Sequence, residues 1–242
     1  MLSKNQIKLI KSLNKKKQRT EHGLFVTEGV KVIKEFLKSS FKLRALYSIA
    51  DIFYVEDGES FIISEKELSQ ISNLKTPQTA LAVFEIPKAK ALPHNLDFKL
   101  ALDGIRDPGN LGTIIRMCDW FGIQDLICSC DTVDCYNPKV VQSTMGSLTR
   151  VNVCYADLEA YLSQSSAYCY GAFMQGTNVY TQDLNKKHSI LILGNEANGI
   201  RPEIHSHINK KLSIPSFRLQ QETESLNVAM AGAILLSEFK RS

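Results

Sequence analysis

Three stretches of this 242-residue chain set polar and charged side chains among glycines, where a reacting group could be held. The first is Asp103-Gly104-Ile105-Arg106-Asp107-Pro108-Gly109-Asn110-Leu111-Gly112, followed by Arg116. Its glycines let backbone approach a ligand closely. Its spacing is neither a phosphate-binding P-loop nor a dinucleotide fingerprint. Asn110 has two readings, a helix cap or a ligand for a polar group. Arg116 sits four residues after Gly112, so on a helix it can lean back over the space the glycine leaves. A guanidinium placed there suits a phosphate or a carboxylate; the plainer alternative is an ordinary helix pair with Asp119. The second stretch is Gly194-Asn195-Glu196-Ala197-Asn198-Gly199. It is either a simple turn or a site in which Gly194 lies against a flat ligand and Glu196 offers a carboxylate. The third runs from Ile214-Pro215 to Ser225-Leu226-Asn227. There the free N–H groups of a following helix can hold a polar ligand, or Ser225 merely caps that helix.

Alternating elements must carry these loops. Lysines at 4, 8, 11 and 15 interleave with Ile7, Ile10 and Asn14 at helical spacing, which predicts an opening helix over 3–17. Thr27 is expected to cap a second helix reaching Lys38. Strands are expected at 42–49, 61–64 and 79–86, with Ser64 and Glu67 forming a capping box between the last two. Pro87 to Pro93 reads as a linker and sets a domain boundary near 87–96. Beyond it, strands at 98–105, 125–130, 151–156, 168–173, 188–194 and 211–215 alternate with helices. Asn137-Pro138 opens one helix with proline at its first position, and Asp157 caps the next. This order implies a parallel sheet covered on both faces, where ligands sit at the carboxyl ends of strands. The final helix, from Ser225 onward, is apolar on every side and is expected to be buried, including at a subunit interface.

Composition limits the classes further. Hydrophobic residues make up 44% and charged residues 22% of the chain, which excludes disorder and low complexity. No apolar run approaches the ~18 residues of a membrane span, and the first residues lack the apolar core of a secretory signal. Six cysteines without a secretory signal point to reduced thiols in a cytoplasmic protein. Cys128, Cys130 and Cys135 lack both a paired knuckle and a nearby histidine, so no metal is expected. Net charge is +4, and the first 20 residues carry seven bases and no acid. Lys15, Lys16, Lys17 and Arg19 are therefore candidate contacts to a polyanion.

Taken together, NLGTIIR (110–116), LGNEANGI (193–200) and IP…ESLNVAMAGAI (214–234) resemble the three motifs of the SpoU (TrmH-like) RNA 2′-O-ribose methyltransferases of the SPOUT superfamily. NPKVVQSTMGSL (137–148) resembles that family's intermediate segment. The resemblance spans about residues 98–240, and residues 25–39 are similar to the substrate-binding domain often fused before it. It implies an α/β chain with a small N-terminal substrate-binding domain (1–90) and a C-terminal parallel-sheet domain (96–242) containing a trefoil knot. It also implies a homodimer formed through the C-terminal knot helix. The implied reaction moves a methyl group from S-adenosyl-methionine to a ribose 2′-hydroxyl of RNA, with neither metal nor membrane. The family's catalytic positions fall on Asn110, Arg116, Glu196, Ser225 and Asn227, and its cofactor contacts on Gly194, Ile214 and Leu226. Arg116 would anchor a phosphate, with Glu196 and Asn110 orienting it or the ribose. One departure stands out: the loop SFRLQQET (216–223) is about three residues longer than usual and lacks its glycine.

The front domain favours ribosomal RNA over transfer RNA as the substrate. Two other readings remain: a non-catalytic RNA-binding module of the same fold, and a nucleotide-dependent metabolic enzyme on an ordinary open sheet. Retention of all five polar motif residues argues against the first. Absence of the nucleotide motifs argues against the second.

Overall fold

The structure, a computed structural model, describes residues 2–55, 57–88, 92, 97–185, 187–217 and 225–241. In chain order the elements are α1 (Lys4–Ser12), α2 (Lys16–His22), β1 (Leu24–Glu28), α3 (Val30–Leu37), β2 (Leu43–Ser48), β3 (Glu59–Ile62), α4 (Glu65–Ile71) and β4 (Ala80–Glu85). Then follow β5 (Lys99–Asp103), α5 (Pro108–Trp120), β6 (Asp125–Ser129), α6 (Pro138–Thr144), β7 (Asn152–Ala156), α7 (Leu158–Ser163), β8 (Tyr168–Asn178), β9 (Ser189–Gly194), α8 (Pro202–His205), β10 (Lys210–Ser213) and α9 (Val228–Lys240). They form two units, residues 1–89 with 134–149, and residues 90–133 with 150–242. The segment 134–149, assigned to the C-terminal domain from sequence, thus packs in the first unit. The linker expected at 87–96 lies largely outside the described residues.

In the first unit, four strands form a mixed sheet ordered β1-β4-β2-β3, antiparallel except for the β2–β3 pair. One face buries Ile10, Leu13, Val26, Leu68 and Ile71. Elsewhere in the unit Phe25, Phe36, Phe41, Phe84 and Tyr136 form an aromatic cluster, with Phe25 and Tyr136 ring centres 4.8 Å apart. Tyr136 comes from the returning segment, so 134–149 supplies part of this core. The opening helix is interrupted: residues 3–17 fold as α1 and the start of α2, with Lys15 between them in an extended conformation. Ser3 and Gln6 close a capping box at the start of α1, a signal the lysine spacing hid. Thr27 does not cap a helix. It lies inside β1, 1% exposed, with its hydroxyl unpartnered, and Gly29 precedes α3 instead.

The second unit holds six parallel strands in the order β10-β8-β9-β5-β6-β7. Leu100, Ala101 and Leu102 of the central strand β5 are fully buried, as strands covered on both faces require. From β5 the chain steps outward through β6 to β7, then crosses to β8 and returns inward to β9. The strand order therefore reverses between β5 and β9, which places the loops after both strands at the crevice where parallel sheets bind ligands. Asp107 caps α5 and Pro108 occupies its first position; Asn137 with Pro138 does the same for α6, and Asp157 caps α7. The last helix begins at Val228, not Ser225. It buries Val228, Ala229, Gly232, Leu235, Leu236 and Phe239, while Met230 is 63% exposed and Ala231, Ala233 and Ile234 are half-buried. Its sequence is apolar all round, but within one chain only one face is covered. No helix among the described residues is long and apolar enough to cross a membrane.

Candidate active site

The three polar loops meet through direct side-chain hydrogen bonds. Asn227 caps α9: its Oδ1 accepts from the amides of Ala229 and Met230 at 2.9 and 3.3 Å. That fixes its Nδ2 as a donor, and it donates to Oδ1 of Asn110 at 2.9 Å. Asn110 must then present its own Nδ2 outward, and this donates to Oε1 of Glu196 at 2.7 Å. Every bond in the relay points the same way, from the helix N-terminus towards the carboxylate. The backbone of α9 thus sets both amide orientations. It aims a polarised chain of donors at the one anion in the group. Asn110 is free for this because Asp107, not Asn110, caps α5, with its carboxylate accepting the Asn110 amide at 2.8 Å.

Gly194 ends β9 and pairs in register with Asp103 of β5. A Cβ on Gly194 would stand 2.2 Å from the carbonyl carbon of Gly199 and 2.3 Å from the nitrogen of Ile200. The loop folds back onto Gly194 because Asn195 and Gly199 exchange two backbone hydrogen bonds, each 2.9 Å. Glycine is needed here first for this return of the chain. The same return holds Glu196 exposed at the tip.

Residues beyond those expected hold the loops in place. The carboxylate of Asp103 is 0% exposed. It accepts the Arg201 amide at 2.7 Å on one oxygen, and Arg201 Nε and Nη2 at 2.7 and 2.6 Å on the other. This pairing raises the Arg201 guanidinium pKa above its ordinary value. Asn195 Nδ2 donates to the carbonyl of Gly104 at 2.6 Å. Gly104 takes a left-handed φ of +73° and donates its amide to Ser129 Oγ. Ser129 in turn donates to Asp131. That bond, helped by Arg201 and Arg106, holds the Asp131 carboxyl below the usual range. A charged residue directly after the apolar run 100–102 was the available signal for Asp103. No local spacing pointed to Arg201, 98 residues away.

Other expected residues are placed as follows. Arg116 is exposed on α5 and has no hydrogen-bond or ion-pair partner among the described residues. The alternative pairing with Asp119 is not what the chain does, since Arg150 grips Asp119 with bonds of 2.8–3.0 Å. Ser225 is exposed ahead of the true cap, Asn227. Ile214 is half-buried just past β10, and Leu226 is 51% exposed just before α9. The lengthened loop at 216–223 lies mostly outside the described residues. Lys15, Lys16 and Lys17 are exposed. Arg19 is corrected: it is 2% exposed, paired with Asp134, and donates to the carbonyls of Leu13 and Asn14 at 2.8 and 3.0 Å. It is a structural side chain of the first unit. Of the cysteines considered for metal, Cys128 and Cys135 are buried and Cys130 is exposed. No three metal-binding side chains cluster among the described residues.

A parallel sheet with a polar cluster at its switch point is the arrangement in which α/β enzymes hold a small ligand, and here Asn110, Glu196 and Asn227 are joined there by hydrogen bonds. Residues 97–237 match the SpoU rRNA methylase family, and residues 4–82 match the MRM3-like substrate-binding domain. The chain is 31% identical over 242 residues to the 23S rRNA (guanosine(2553)-2′-O)-methyltransferase RlmP of Bacillus subtilis, covering 97% of this chain and 96% of that protein. A TrmH-family protein from Porphyromonas gingivalis superposes with a TM-score of 0.89 at 39% identity, covering 99% and 98% of the two chains. An AdoMet-bound rRNA methyltransferase from Sinorhizobium meliloti gives 0.87 at 28% identity, covering 99% and 95%. The chain belongs to the SpoU rRNA methylase family, and its cofactor is S-adenosyl-methionine. Half-buried Ile214 and exposed Leu226 present apolar surface that fits the base of that cofactor, while the Cβ side of Gly194 is closed by the backbone of Gly199 and Ile200.

Proposed function

We propose that the chain methylates a ribose 2′-hydroxyl of ribosomal RNA, with Asn110, Arg116, Glu196, Ser225 and Asn227 as the working residues. The observation that carries this reading is the Asn227–Asn110–Glu196 relay, which draws one residue from each of the three motifs into a single array. The cofactor supplies an electrophilic methyl group on a cationic sulfur. What remains for the protein is to hold a weakly acidic hydroxyl in line and to secure the adjoining phosphate. Arg116, exposed and unpaired among the described residues, presents a planar fork of donors suited to a phosphate. Its role is anchoring and electrostatic stabilisation, since a guanidinium is too weak an acid to give up its proton. Glu196, fixed by Asn110, orients the ribose or the arginine. Gly194, Ile214 and Leu226 hold the cofactor.

Ribosomal RNA is favoured over transfer RNA by the front unit and its match to the MRM3-like substrate-binding domain. Lys15, Lys16 and Lys17 are exposed there and would meet RNA phosphates. The same reading includes a trefoil knot in the C-terminal segment and a homodimer through α9. Support for the dimer is the uncovered side of that helix, with Met230 63% exposed, and the exposed Trp120 (86%) at the end of α5, the helix packed against α9. The test is incubation with labelled S-adenosyl-methionine and total RNA from cells lacking the chain, with Arg116→Ala alongside. Label in ribose-methylated nucleosides with wild type alone is expected. Cofactor binding without transfer to any RNA would favour the non-catalytic RNA-binding module. Sedimentation of the chain as a monomer would overturn the dimer.

A further inference from the structure

We propose that Arg201, gripped by Asp103, is a positioning residue that sets Glu196 for the reaction. The inference rests on the catalytic role given to Glu196 above. The loop carrying Glu196 closes on itself through Asn195 and Gly199 and is therefore a small rigid hairpin. It is anchored at two points, one residue before Glu196 and five residues after it. At one, Asn195 Nδ2 is bonded to the carbonyl of Gly104 at 2.6 Å. At the other, Arg201 is bonded to Asp103 through its amide and through its guanidinium. Both anchors thus fall on neighbouring residues, Asp103 at the end of β5 and Gly104 just after it, from which the chain runs on into α5, the helix that carries Asn110. Glu196 and Asn110 are referred to one another through this shared base, and the 2.7 Å bond between them depends on it.

The form of the Arg201 contact separates positioning from simple charge neutralisation. One oxygen of Asp103 takes the backbone N–H, and the other takes Nε and Nη2. The bonds therefore fix both the path of the main chain at residue 201 and the plane of the guanidinium. A lysine would balance the buried charge but cannot reproduce this fork. Asp131 extends the base. It is tied to Gly104 through Ser129, and Arg106 and Arg201 each lie 4.0 Å from it.

The experiment measures kcat and the KM for S-adenosyl-methionine with total RNA from cells lacking the chain. It compares wild type, Arg201→Lys, Glu196→Gln and the double variant. Arg201→Lys is expected to lower kcat by about tenfold to a hundredfold, the scale of a 1 Å misplacement near a reacting centre. The KM for the cofactor should stay within about twofold, because Gly194 remains held in the sheet by its pairing with Asp103. The double variant is expected to be no slower than Glu196→Gln alone, since a residue that works only through Glu196 has nothing left to position. Losses that multiply in the double variant would overturn the inference. So would a wild-type kcat in Arg201→Lys beside a slow Glu196→Gln, which leaves the reading of Glu196 intact. A wild-type rate for Glu196→Gln would overturn that reading and this inference with it. If Arg201→Lys does not fold, Asp103→Asn, which keeps an acceptor for the Arg201 amide, repeats the same cycle from the other side of the pair.

Discussion

Replacing Arg19 with alanine should destabilise the first unit severely, and the size of the loss can be worked out bond by bond. The side chain is 2% exposed and makes bonds to three groups: the Asp134 carboxylate and the carbonyls of Leu13 and Asn14. Removing one member of a buried ion pair costs ~3–5 kcal/mol, because the other charge is left without its partner. Asp134 is 15% exposed and keeps the Tyr136 amide on its second oxygen at 2.9 Å, which favours the lower end. A loss of about 3 kcal/mol corresponds to a fall in Tm of roughly 6–12 °C for a chain of this size. Denaturant titration and differential scanning calorimetry without RNA would measure it. Lys16→Ala, as an exposed control, should stay within ~0.5 kcal/mol of wild type. Replacing the pair by Arg19→Met with Asp134→Leu should recover most of the stability, since an apolar pair needs no partner. A wild-type Tm for Arg19→Ala together with lost RNA affinity would refute the reasoning and return Arg19 to the RNA surface.

Three more outcomes are expected. Changing Lys15, Lys16 and Lys17 together to glutamine should weaken RNA binding and flatten its salt dependence, by roughly 0.7 in log–log slope for each single-strand phosphate that is no longer neutralised, while cofactor affinity in calorimetry stays at the wild-type value. Gly194→Ala should abolish measurable cofactor binding, because the added methyl would collide with backbone at Gly199 and Ile200 rather than with a movable side chain; an unchanged calorimetric Kd would contradict this. Thr27→Val should raise stability by about 1 kcal/mol in urea titration, since it replaces a buried hydroxyl that has no partner with a methyl of the same shape; a drop in stability would mean the hydroxyl is satisfied after all.

Much of the second unit was legible because its signals are local. Asp157 before α7 and the apolar runs at 125–130 and 188–194 each name an element within a few residues. The first and second motif loops could be placed at strand ends for the same reason. What sequence could not supply is where distant segments meet. Thr27 is a good cap by type, but pairing with β4 draws it into a strand. Arg19 sits in a run of bases and looks like its neighbours, yet the turn between α1 and α2 directs it inward to Asp134. Asn110 and Ser225 were both plausible caps, and Asp107 and Asn227 took those places. Asp103 and Arg201 show the same limit from the other side: a buried carboxylate needs a cation, but nothing nearby in sequence says which.

The return of residues 134–149 to the first unit bears on how the chain folds during synthesis. Phe25 needs Tyr136 beside it, and Arg19 needs Asp134. When residue 89 leaves the ribosome, the front unit therefore still lacks one wall, and it gains that wall only after about 60 more residues. At ~5–20 residues per second the wait is roughly 3–12 s. Over that interval the lysine-rich opening segment is already translated while Phe25 still lacks the ring of Tyr136. A nascent chain of this kind is a natural client for a chaperone at the exit tunnel. For the same reason a fragment cut at residue 89 would be an unfinished unit rather than a separable domain.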